Sequence, residues 1–175
     1  MEKTINLFVD MDGTIAKFYY KKNYLEKMYE KDYFRTLPPY AIAKQINEFA
    51  KQVSCVQVYI LSACVESDYC ESEKFQWLLE NMPNLNPNNF IFTKVGESKV
   101  DKARARVDNF KDNINILLDD YTLNLEQWQQ ADMLCVGVKF LNGLNDTTKQ
   151  WKGMKIKTFK QLESLMQQFA MYGNC

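Results

Sequence analysis

No histidine occurs among the 175 residues. Ser-His-Asp and Cys-His nucleophile systems, imidazole general bases and most zinc-type sites are thereby excluded, so any chemistry runs on Asp, Glu, Lys, Ser, Thr, Tyr or Cys. Glycine-rich phosphate loops are missing as well: neither GxGxxG nor GxxxxGK followed by Ser or Thr is present. The five cysteines, Cys55, Cys64, Cys70, Cys135 and Cys175, are odd in number and include no CxxC pair. That pattern fits reduced thiols and a cytoplasmic location better than a secreted disulfide framework. No apolar run approaches the ~20 residues that cross a bilayer, and Met1-Glu2-Lys3 leads into a short strand without the apolar segment of a signal peptide. Charge of one sign is lacking too, with 22 basic against 22 acidic side chains. Neither a nucleic-acid polymer nor a membrane is therefore expected as a partner.

What is present is a regular alternation. Thr4 to Val9, Val56 to Leu61, Phe90 to Phe92, Ile114 to Leu118 and Leu134 to Val138 read as five short buried strands. Between and after them, Ala41 to Lys51, Ser72 to Glu80, Val100 to Phe110, Leu123 to Gln130 and Thr158 to Phe169 read as helices. Such alternation predicts an α/β fold, a doubly wound parallel sheet covered on both faces and joined by right-handed crossovers. The chain reads as one domain over residues 1–175, a length that buries roughly two-thirds of its unfolded surface without metal or disulfide. Two segments break the rhythm. Residues 15–39, ending in Leu37-Pro38-Pro39, are too long for an ordinary βα loop and read as a small helical cap inserted after the first strand. Residues 139–153 read as a turn-rich loop.

The chemistry gathers where strands end. Asp10-Met11-Asp12-Gly13-Thr14 places two carboxylates where the chain leaves the first strand, a costly position unless a cation or proton compensates. Alone, these five residues fit equally well an Asp-Gly turn with Asp12 capping a helix. A second acidic pair, Asp119-Asp120, follows the fourth strand. If the two strands are neighbours, the carboxylates converge into a hard oxygen site suited to Mg²⁺. Ser62 at the end of the second strand adds a hydroxyl, and Lys99 before the fourth adds a cation. Lys94 and Lys102 compete with Lys99 for that place.

The series Asp-x-Asp, Ser, Lys, Asp-Asp resembles the four motifs of the haloacid dehalogenase-like (HAD) phosphohydrolase superfamily, and the match spans nearly the whole chain. Tyr33-Phe34 with Leu37-Pro38-Pro39, Tyr59 to Ala63, Glu73-Lys74 with Trp77, Asp119 to Thr122 and Lys139 to Gly143 resemble more narrowly the 5'(3')-deoxyribonucleotidases. The resemblance implies a HAD-like Rossmannoid fold and a Mg²⁺-dependent phosphomonoesterase acting through an aspartyl-phosphate on deoxynucleoside monophosphates. It makes Asp10 the nucleophile and Asp12 the acid and base. It gives Ser62 and Lys99 to the phosphoryl group, and Asp10, the Asp12 carbonyl and Asp119 to the metal, with Asp120 in an outer role. Tyr33 and Phe34 become the base contacts in a cap whose other aromatics pack on the core. The second aspartate favours phosphoryl transfer over dehalogenation. The rivals are a phosphatase for another small phosphate ester and a catalytically idle binding protein on the same scaffold.

Overall fold

A computed structural model describes residues 5–53, 55–108, 110–146 and 151–173. Thr4, Asn109 and residues 147–150, which the sequence reading placed in the first strand, the third helix and the late loop, lie outside the described residues. Cys55 is disulfide-bonded, whereas Cys64, Cys70 and Cys135 are free thiols, so the all-reduced expectation holds for three of the four described cysteines. No helix among the described residues is long and apolar enough to cross a membrane.

Six parallel strands form one sheet: β1 (Ile5–Val9), β2 (Val56–Cys64), β3 (Phe90–Lys94), β4 (Ile114–Asp119), β5 (Cys135–Phe140) and β6 (Met154–Ile156), in the order β3-β2-β1-β4-β5-β6. Every side chain of β1 is buried, because a central strand with both faces covered has no solvent side on which to place polar residues. The helices are α1 (Tyr24–Lys27), α2 (Ala41–Gln52), α3 (Cys70–Asn81), α4 (Lys99–Arg106), α5 (Thr122–Ala131) and α6 (Phe159–Gly173). Two apolar layers result. Val9, Ile60 and Leu118 join residues of α2, α3 and α6 on one face, and Phe8, Leu61 and Leu117 join residues of α4 and α5 on the other.

Each of the five strands and five helices read from the sequence is found, with ends moved by up to four residues. β6 lies just beyond the loop predicted over residues 139–153, in a stretch for which the sequence predicts no element. It has three residues, two of them exposed, and pairs only with β5 at the sheet edge, so neither alternation nor an apolar run marks it.

The chain reverses direction across the sheet between β1 and β4, which makes the carboxyl ends of these two strands the crevice where such folds bind ligands. The register pairs Val9 with Leu118, and the Asp10 amide donates to the Leu118 carbonyl at 2.9 Å. The next residue of each strand is an aspartate, so the sequence motifs are set side by side by register alone.

The insertion over residues 15–39 closes on itself. Ala16 bridges Pro39, Lys17 N donates to the Pro38 carbonyl and Tyr40 N to the Ile15 carbonyl. It holds less helix than its length suggested: one 3-10 turn at Phe18–Tyr20, the four-residue α1, and turns with left-handed residues at Asn23 and Asp32. Its order comes from a cluster of rings, Phe18, Tyr19, Tyr24, Tyr33 and Phe34, meeting at 5.1–6.2 Å. α3 anchors it. The buried Glu73 carboxylate accepts from the amides of Asp32, Phe34 and Arg35, and Trp77 Nε1 donates to the Leu37 carbonyl at 2.7 Å.

Glu73→Ala should therefore strip three amides of their acceptor and destabilise the protein by roughly 2–4 kcal/mol. Denaturant unfolding gives the loss, and limited proteolysis should show new cutting at Lys31 and Arg35.

Candidate active site

Asp10, at the end of β1, and Asp119, at the end of β4, share one ammonium. Lys99 Nζ lies 2.6 Å from Asp10 Oδ1 and 2.7 Å from Asp119 Oδ2, and all three side chains are buried. Lys99 opens α4, whose N-cap is Ser98, its hydroxyl accepting from the Asp101 amide at 3.2 Å. Among the three lysines that competed on sequence, geometry separates them. Lys99 is at the carboxylates, whereas Lys94 and Lys102 line a cleft outside.

Asp120 completes an acidic cluster: Asp10, Asp119 and Asp120 each offer a carboxylate oxygen within 4.8 Å of the others. Three buried carboxylates thus face one lysine. Burial pushes Asp10 up to about 7, opposed by Lys99 and reinforced by Asp119 and Asp12. Burial, together with Asp119 and Asp10, also holds Asp120 well above the usual carboxylate range. Burial acts against the charge on Lys99, yet Asp10 and Asp119 outweigh it and keep its proton bound more tightly than usual. A divalent cation among these oxygens would relieve the same repulsion, and the all-oxygen donor set fits Mg²⁺.

The two adjacent aspartates differ in what they have left to offer. Both oxygens of Asp119 are committed, Oδ1 to the Tyr121 amide and Oδ2 to Lys99 and Asn124 Nδ2. Asp120 commits Oδ2, which accepts from Tyr19 Oη at 3.1 Å and Asn142 Nδ2 at 3.0 Å. No donor to its Oδ1 is found among the described residues. Asp119 is therefore the more fully engaged of the two. Burial and the Asp120 carboxylate push the Tyr19 phenol up, so it keeps its proton and serves as a donor. Gly13 is required between them. Its φ is +79°, and a Cβ there would lie 2.3 Å from Asp120 Oδ2 and 2.9 Å from the Tyr19 ring.

Asp12 does not join the cluster through its side chain. Its Oδ2 pairs with Lys74 Nζ, which also donates to Ser62 Oγ at 3.0 Å and to the Ala63 carbonyl, while Asp12 Oδ1 is buried without a partner. Lys74 is fully buried; burial acts against its charge, yet Asp12 with the Cys70 and Cys64 sulfurs together outweigh it and raise its proton affinity. Its place in the site was missed on sequence. The signal was there: Cys70, Glu73, Lys74, Trp77 and Leu78 form the buried stripe of α3 at helical spacing, and a charged pair inside such a stripe needs partners. Tyr19 and Asn142 carried no comparable signal.

A cleft of about 890 Å³ opens beside Asp12, lined by Phe18, Met28, Tyr29 and Phe34 of the insertion and by residues 63–68 and 92–95 beyond β2 and along β3. The expected base contacts part company here. Phe34 lines the cleft, with Lys74 Nζ 4.7 Å from its ring centre. Tyr33, as buried as Phe34 and packed edge-on against it in the ring cluster, does not line the cleft and gives its hydroxyl to the Phe18 carbonyl.

The raised Asp10 sets a sign for the pH dependence of the metal-free protein. Between about 4 and 7 the folded state holds a proton on Asp10 that the unfolded chain has released, so stability falls as pH rises through that window. Melting temperatures in chelator should decline from pH 4 to 7, and Asp10→Asn should flatten the decline. A wild-type curve that rises over this range would contradict the burial of the cluster.

No family model matches the chain. Two curated relatives, from two strains of Staphylococcus aureus and both provisionally named 5'(3')-deoxyribonucleotidase, are 33% identical over 135 residues, 74% of this chain. The chain spans 64% of the length of those relatives. Among solved structures, the provisionally named HAD-hydrolase YfnB of Bacillus subtilis, bound to magnesium, superposes with a TM-score of 0.65 at 10% identity, covering 94% of this chain and 99% of that one. A phosphoserine phosphohydrolase-like protein of Francisella tularensis gives 0.58 at 13% identity, covering 93% and 100%. The chain thus has the fold of the haloacid dehalogenase-like hydrolases and, within it, is similar in sequence to the 5'(3')-deoxyribonucleotidases.

Proposed function

We propose that the protein is a Mg²⁺-dependent phosphomonoesterase that hydrolyses deoxynucleoside monophosphates through an aspartyl-phosphate on Asp10. The observation that carries the reading is the Lys99 ammonium spanning Asp10 and Asp119 in a buried acidic cluster. A phosphate dianion can approach a carboxylate only where positive charge has been gathered first. Asp10 and Asp120 are the side chains best able to hold Mg²⁺, with the Asp12 carbonyl as the third contact implied by the family resemblance. Mg²⁺ would supply charge neutralisation for the transferring phosphoryl group.

Asp10 attacks phosphorus in line, forming one P–O bond as the bond to the nucleoside oxygen breaks. Asp12 gives that oxygen its proton, and Oδ1, the oxygen free of Lys74, is the one suited to carry it. Asp12 then takes a proton from the water that cleaves the phosphoryl–Asp10 bond, releasing phosphate and restoring the Asp10 carboxylate and the protonated Asp12. Ser62 Oγ accepts from Lys74, which leaves its own proton for a phosphoryl oxygen, and Lys99 supplies a second donor. Lys74 is the positioning residue that ties these two parts together.

The aromatic cleft beside Asp12 supports a nucleobase-bearing substrate, with Phe34 as the stacking ring and Tyr33 as part of the cap's packing. A cytoplasmic location belongs to the same proposal. Three free thiols support it, although the disulfide at Cys55 does not.

A phosphate-release screen over nucleotides and sugar phosphates tests the reading. Chelator should stop turnover, Mg²⁺ should restore it, and Asp10→Asn should abolish it without unfolding the protein. Asp120→Ala should cost at least as much activity as Asp119→Ala, since Asp120 has the less committed carboxylate. Phe34→Leu should lower kcat/KM for a deoxynucleoside monophosphate by fivefold to a hundredfold, the ~1–3 kcal/mol of one stacked base, while sparing an aryl phosphate. Equal loss on both substrates would leave a phosphatase without nucleotide preference.

A further inference from the structure

We infer that Tyr19 and Asn142 are positioning residues for Asp120, so that the cap and the loop after β5 together set the cation affinity of the site. The inference rests on the reading that Asp120 is a metal ligand. Both residues donate to the same oxygen, Asp120 Oδ2, at 3.1 and 3.0 Å. A lone carboxylate turns easily about its terminal bond, and two donors converging on one oxygen from different elements remove that freedom while leaving Oδ1 uncommitted.

The two donors are themselves held. Asn142 Nδ2 also donates to the Gly13 carbonyl at 2.9 Å, and Asn142 Oδ1 accepts from the amides of Leu144 and Asn145 at 3.0 and 3.2 Å. Asn145 Nδ2 in turn donates to the Asp120 carbonyl at 3.2 Å. The Tyr19 ring meets Phe18 and Tyr24 edge-on at 5.3 and 5.1 Å and lies against Gly13. One oxygen thus joins the Asp-x-Asp turn, the cap and the late loop.

The chemistry of the donors matters as much as their number. Asp119 is held by an ammonium that cancels much of its charge, whereas Asp120 is held by a phenol and an amide, both neutral. Neutral donors orient a carboxylate without placing a competing positive charge beside it. Partners of this kind around a metal ligand typically contribute 10- to 100-fold in affinity.

The test uses the full chain freed of metal by chelation, Mn²⁺ as an electron paramagnetic resonance probe, and Mg²⁺ by competition. Tyr19→Phe and Asn142→Ala should each raise the Kd for Mn²⁺ by about tenfold, and Tyr19→Phe should leave the melting temperature in chelator at the wild-type value. Wild-type Kd in a folded Tyr19→Phe variant overturns the inference, as does a lowered metal-free melting temperature with unchanged Kd, which marks a purely structural contact. Should Asn142→Ala fail to fold, Tyr19→Phe alone decides. A wild-type protein that binds neither ion would instead refute the metal-site reading beneath it.

Discussion

Repulsion among three buried carboxylates is the constraint around which this molecule is arranged. Asp10 and Asp119 are brought together by strand register and Asp120 follows at once, so the carboxyl ends of β1 and β4 concentrate negative charge in a place that water hardly reaches. Such a cluster persists only with a cation in reach. Lys99 supplies one positive charge from the opposite element, and the hydrogen bonds of Tyr121, Asn124, Tyr19 and Asn142 share out the remaining lone pairs. The surplus of negative charge is what makes the site a fit for a divalent cation.

α3 links this centre to the insertion above it. Consecutive residues on its buried stripe have different tasks: Glu73 holds the cap by its backbone, Lys74 holds Asp12 and Ser62, and Trp77 holds Leu37. Phe34 sits over Lys74, so the wall of the cleft and the Asp12 carboxylate are braced by one ammonium. The cap carries no regular element longer than four residues, and α3 gives it the order that local structure does not.

The fold was legible because apolar runs of about five residues alternating with amphipathic stretches admit few arrangements. β6 escaped notice since three residues with two side chains in solvent leave no pattern. The expected helical cap is present with little helix, a 3-10 turn and the four-residue α1, because the aromatic spacing there serves a ring cluster, and ring clusters have no sequence period. Within the site, Asp10, Asp12, Ser62, Lys99 and the Asp119-Asp120 pair were legible because each adjoins a strand or helix end, where position along the chain fixes position at the sheet edge.

By itself, then, the sequence determined five of the six strands, that they run parallel, and that acid, hydroxyl and amine groups leave the sheet at one edge. It could do so because these depend on local periodicity and on where each apolar run stops. Only the tertiary structure decided that β1 adjoins β4, that Lys99 rather than Lys94 or Lys102 reaches the carboxylates, and that Asp12 turns to Lys74. It also decided that Asp119 is the more engaged of two adjacent aspartates and that Phe34, not Tyr33, lines the cleft. Each of these depends on which groups from distant elements come within hydrogen-bonding range, and distance across a fold is not written in separation along the chain.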